Sequence, residues 1–129
     1  MARSAQEIDE WARAYVEAKQ DPALLKGGHP LWWTVERFIN ILGGEETSEA
    51  EDAWKAILRI LELDPPDEVL AVLAAGPLED LIDDYGALFI DRIETESRRN
   101  PRFRQLLGGV WKGSSADIWA RVEACRGVV

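Results

Sequence analysis

The sequence predicts an all-α fold: a single-domain helical bundle of six or seven helices spanning 1–129. Three observations carry that prediction. Apolar residues recur at i, i+3, i+4 and i+7 in segment after segment. Each segment is bounded by cap residues, prolines or paired glycines. No stretch alternates apolar and polar residues at period two, so no strand is expected.

Ser4-x-x-Glu7 is a capping-box pattern and starts a first helix near Ala5, with Ile8, Trp11, Ala12 and Tyr15 on one face. Asp21-Pro22 stops it, because the proline ring disfavours helical geometry in the residue before it. After a Gly27-Gly28 loop, His29-Pro30 leads into a second helix with proline in its first turn. Leu31, Val35, Phe38, Ile39 and Leu42 share a face, with Trp32 at its edge. Trp33 points the other way, beside Arg37 and Asn40, and Gly43-Gly44 ends the helix.

Thr47 or Ser48 caps a third helix, with Glu49, Glu51 and Asp52 suited to the positive end of its dipole. Its stripe is Ala50, Ala53, Trp54, Ile57, Ile60 and Leu61. Asp64-Pro65-Pro66 starts a fourth helix over roughly 66–75, apolar all round and therefore expected to be central and buried. Gly76 is placed to close it and Pro77 to open a fifth, giving the centre of the bundle the look of a solenoid-like antiparallel section.

The fifth helix runs from Pro77 to Arg98, a rod of about 33 Å. Leu78, Leu81, Ile82, Tyr85, Leu88, Phe89 and Ile93 form its inner face, and Gly86 either marks close approach of a neighbour in one continuous helix or breaks the helix there. Asn100-Pro101 starts a short helix holding Phe103, Leu106 and Leu107, and Gly108-Gly109 ends it. A last helix follows Ser114-Ser115, with Ile118, Trp119, Val122 and Cys125 on one side.

The net charge is −9 and unevenly spread. Residues 1–91 hold 20 acidic and seven basic side chains, and residues 92–129 hold four acidic and eight basic. An acidic body disfavours nucleic acid and anionic membrane. It suits a protein partner with a basic surface, docking of the basic third on the body, or solubility alone. No apolar run approaches the ~18 residues that a membrane span needs. The start of the chain has no secretory h-region, and a single cysteine fits a reducing compartment, so a cytoplasmic location is expected.

No motif for catalysis, cofactor or metal is present. His29, the only histidine, reads as a turn residue unless acid–base partners converge on it. Asp80, Asp84 and Asp91 form an acidic stripe, too few ligands by themselves for a hard metal. Arg92 falls on the inner face of the fifth helix, where a cation must pair, snorkel or hold an anion. Cys125 reads as a small hydrophobe. Arg98, Arg99, Arg102, Arg104 and Lys112 cluster in sequence; phosphate binding is one reading, against which stand their small number and the acidic body, and the helix end explains the first two. Trp33, on a polar face, is either covered by another element or a contact residue.

The segments AAGPLEDLIDDYG (74–86), FIDRIE (89–94), RNPRFRQLLGGVW (99–111) and DIWARV (117–122) resemble an uncharacterised bacterial family, assigned only to a domain of unknown function. The resemblance covers roughly the C-terminal half. It implies a helical fold and supplies no catalytic residue. Two functions follow as expectations. One is a non-enzymatic protein-interaction module, acidic and inhibitor- or immunity-like. The other is a small enzyme or anion binder using His29, Arg92 and carboxylates in a cleft.

Overall fold

The computed structural model describes residues 3–42 and 47–126, the side chains of 41 and 42 excepted. The fold is all-α, with no strand among the described residues. Seven α-helices are described: α1 (Ala5–Lys19), α2 (Trp33–Leu42), α3 (Thr47–Glu62), α4 (Asp67–Leu73), α5 (Glu79–Arg99), α6 (Pro101–Leu107) and α7 (Ala116–Cys125). The chain divides into two compact units, Met1–Val69 and Leu70–Val129, with the boundary inside α4.

In the first unit α1, α2 and α3 pack against one another. The Ser4–Glu7 capping box forms: Glu7 N–H donates to Ser4 Oγ (3.2 Å) and Ser4 N–H to Glu7 Oε1 (3.1 Å). Ala12 and Ala18 of α1 and Ala50, Ala53 and Ala56 of α3 are all buried, and such small side chains let helices approach closely. Trp11 is wholly buried. Its indole N–H donates to Thr34 O (3.0 Å) and its ring lies 4.4 Å from that of Phe38. This bond anchors α2 to α1 without leaving a polar atom stranded.

The second helix starts later than expected. Pro30, Leu31 and Trp32 form a hydrogen-bonded turn, and α2 begins at Trp33. Among its described side chains the buried ones are Thr34 and Phe38, whereas Ile39, expected inside, is 56% exposed. The expected stop at Gly43-Gly44 and the place of Leu42 on the apolar face lie outside the described residues. Thr47 and Ser48, expected as the cap of α3, lie within the helix. Asp52 is not a solvated first-turn acid but is fully buried.

The second unit corrects the expected turn at Gly76-Pro77. Ala74–Leu78 is a π-helical turn leading straight into α5, so the chain does not reverse there. Pro77 has no N–H for the carbonyl of Leu73, and its ring would collide with that carbonyl in α geometry. A wider turn carries the chain past it, with Glu79 N–H donating to Ala74 O. Nor is the fourth helix apolar-buried all round. Val69, Leu70, Leu73 and Ala74 are covered, while Ala71 and Ala75 are exposed and Val72 is 42% exposed.

Within α5, Tyr85 leaves helical geometry (φ −132°, ψ 20°). The buried residues beyond this kink are Gly86, Phe89, Ile90, Ile93, Glu96 and Ser97, so the inner face is turned from the one a straight helical wheel draws. Gly86 does mark a close contact: a Cβ there would lie 2.8 Å from Ile118 Cγ2 and 2.8 Å from Ser114 Oγ, at the start of α7. Asn100 and Ser115 cap α6 and α7 as expected. The link between those two helices is held by acids of α5. Glu79 accepts from Trp111 N–H and Asp83 from Ser114 N–H, both at 2.9 Å.

Candidate functional site

From Trp32 to Asn40, the exposed positions are Trp32, Trp33, Glu36, Ile39 and Asn40. Their spacing is that of one helical face, opposite buried Thr34 and Phe38. The face therefore presents three large apolar side chains together. Trp33 is 37% exposed and Trp32 36%. Both results follow from the phase of α2: once Thr34 and Phe38 are the inward positions, both tryptophans must flank the outward one.

Trp33 is also held in place. The Arg37 guanidinium lies 4.5 Å from the Trp33 ring centroid and 5.1 Å from that of Trp11, linking the exposed indole to the buried one. Burial foremost, then the like charge of Arg3, lowers the Arg37 pKa. A cleft of about 360 Å³ lined by Arg3, Trp33, Glu36, Arg37, Asn40 and Glu49 runs beside this face.

His29 lies in the first unit and is a turn residue. Leu31 N–H donates to Nδ1 (3.1 Å), which leaves the proton on Nε2 to donate to Asp21 Oδ2 (2.7 Å). That bond, then the one from Ala23 N–H, holds Asp21 below the usual carboxylate range. Both ring nitrogens are thus committed locally.

Arg92, Asp80, Asp84 and Asp91 lie in the second unit. Arg92 is exposed, not on the inner face, because the Tyr85 kink turns Leu88 and Arg92 outward. Its guanidinium stands 5.0 Å over the Phe89 ring, so the stem covers the core from outside. Asp91 pairs with the basic third of the sequence, accepting from Arg121 Nη2 (2.6 Å). Asp80 and Asp84 are exposed. Partial desolvation of the largely exposed Asp80 carboxylate foremost, then repulsion from Asp84, Glu79 and Asp83, raises its pKa.

Other exposed or clustered groups had no distinct sequence signal. Trp111 is 77% exposed, and Leu25 is exposed in the turn after α1. Arg98, Arg104, Arg121 and Arg126 line one cleft, of which only Arg98 and Arg104 stood in a basic run of the sequence. Among the described residues, no three His, Cys, Asp or Glu side chains are placed to share a metal ion. No described helix is long and apolar enough to cross a membrane.

Fold and surface define an all-α protein with an exposed aromatic helix face. The chain belongs to a family of unknown function (DUF6869), which matches residues 17–128. The match reaches beyond the C-terminal half and takes in the Trp32-Trp33 segment. No curated protein and no solved structure matches the chain.

Proposed function

We propose that the protein is a non-enzymatic protein-interaction module whose contact surface is the Trp32–Trp33–Ile39 face of α2. The carrying observation is that these three side chains share one exposed helical face. Tryptophans supply large contact area and dominate binding energy where they become buried. The Arg37 guanidinium over the Trp33 ring restrains that side chain before binding and so lowers the entropy lost on association.

The partner is a protein with an apolar pocket flanked by basic groups, met in the cytoplasm. Residues 1–69 carry 15 acidic and seven basic side chains, a net −8, and Glu36 sits within the face. This charge favours encounter with a basic protein, as an inhibitor or immunity-like protein requires. The local commitment of both His29 nitrogens supports this reading over an enzyme built on that histidine.

The test is a photo-crosslinking residue placed at Ile39 in the native host. One discrete adduct is expected, with a yield that Trp33→Ala reduces, since loss of a central Trp costs about 2 kcal/mol or more of affinity. An adduct no more abundant than that from the same probe at exposed Glu17 would sink the reading.

A further inference from the structure

The second unit contains a cleft of about 430 Å³ formed by the last turns of α5, by α6 and by the end of α7. Arg98, Arg104, Arg121 and Arg126 line it, with Glu94 and Ser97. Arg121 is neutralised there. Its Nε and Nη2 donate to the two Glu94 oxygens (3.1 and 2.6 Å), and Nη2 also donates to Asp91 Oδ1 (2.6 Å).

The other three arginines differ. None of them makes an ion pair among the described residues, whereas Arg3 meets Asp52, Arg13 and Arg59 meet Asp9, and Arg99 meets Glu96. Two of the three are nonetheless held in place. Arg104 Nη1 donates to Ser97 O (2.6 Å), a carbonyl in the last turn of α5. Arg126 Nη2 donates to Gly108 O (2.8 Å) at the end of α6, and its guanidinium lies 5.3 Å from the Trp119 ring centroid. Helix C-termini attract cations, and a carbonyl takes only one or two of a guanidinium's five N–H groups. The remaining donors stay available in a fixed orientation. Arg98 is exposed and stands one helical turn beyond Glu94.

We infer that this cleft binds the diphosphate group of a small molecule through Arg98, Arg104 and Arg126. Guanidinium forks match phosphate oxygens in pairs, and three like charges gathered in one cleft repel until an anion joins them. Three guanidinium forks offer more donors than the oxygens of one phosphate can pair with, so they suit two phosphate groups better than one. The cleft is also larger than a single oxyanion requires. The Glu94–Arg121 pair forms one wall, where its carboxylate is already neutralised and does not repel the ligand.

The test is calorimetric titration of the full chain with pyrophosphate and, separately, inorganic phosphate. Pyrophosphate should saturate one site with a Kd below about 1 mM and bind more tightly than phosphate. Arg98→Gln removes an exposed side chain, leaves the fold intact by circular dichroism, and should weaken binding about fivefold or more. Arg104→Lys keeps the charge but loses the fork, and should weaken it too. Arg13→Gln, in the first unit, should leave binding unchanged. The assignment is overturned by absence of saturable pyrophosphate binding, by equal affinity for the two anions, or by Arg98→Gln and Arg104→Lys binding as tightly as the parent. A loss in Arg13→Gln equal to that in Arg98→Gln would also overturn it, since attraction would then be non-specific.

Discussion

Arg3 and Asp52 are 49 positions apart, yet the Arg3 backbone N–H and guanidinium both converge on the fully buried Asp52 carboxylate, at 3.2 and 3.1 Å. Asp52 of α3 thereby holds the residue that precedes the Ser4 cap of α1. Replacing Asp52 by Ala strands the Arg3 amide and removes the partner of its cation. A loss of about 2–3 kcal/mol is expected in urea denaturation. An unchanged midpoint would show that the carboxylate is dispensable.

Gly86 tests the α5–α7 contact. Alanine is the better helix former by ~1 kcal/mol. Its Cβ, however, would stand 2.8 Å from both Ile118 Cγ2 and Ser114 Oγ. Overpacking of this kind costs about 1–3 kcal/mol, so Gly86→Ala should be net destabilising and Gly86→Val more so. A Gly86→Ala protein with a raised melting temperature would place α7 further away.

Leu81 and Leu73 are wholly buried. Leu81→Asp or Leu73→Asp puts an unpaired carboxylate into the core, a penalty of several kcal/mol comparable to the whole stability of a small protein. Both variants should lose native circular dichroism. A native spectrum with unaltered heat stability would refute this.

Asp80 makes a prediction of opposite sign. Its folded pKa is raised, so its contribution is present below the unfolded value, near 3.9, and lost as pH rises through the folded value. At neutral pH the charge is therefore unfavourable. Asp80→Asn should raise stability at pH 7 by a fraction of about 1 kcal/mol, reduced by solvent screening, and the gain should fade in acid. Paired stability measurements at pH 7 and pH 3 would show it. An Asp80→Asn gain that persists at pH 3 would exclude electrostatics as its source.

The acids with lowered pKa behave conversely. The Arg13 and then the Arg59 bonds lower Asp9, the Arg121 bond lowers Glu94, and the His29 bond lowers Asp21. Their stabilisation is present above the ordinary carboxylate pKa and lost as pH falls through the lowered values. Parent stability should accordingly drop below about pH 4. A flat profile from pH 5 to pH 2 would contradict these pairings.

Local chemistry in the sequence determined the all-α class, the Ser4, Asn100 and Ser115 caps, and the close approach at Gly86. Caps involve residues two or three apart, and a glycine amid apolar positions states its own steric reason, so both are legible in one dimension. The tertiary structure decided the rest. Whether Ile39 and Arg92 face in or out depends on helix phase, which packing through Thr34 and Phe38 set for α2 and the Tyr85 kink reset in α5. One such shift changes which side of a helix meets the core. The gathering of Arg98, Arg104 and Arg126 around one cleft joins three separate elements, and no spacing along a chain encodes that. Trp33 belonged to both: the sequence set it opposite the apolar face, and the packing of Thr34 and Phe38 exposed it beside Trp32 and Ile39.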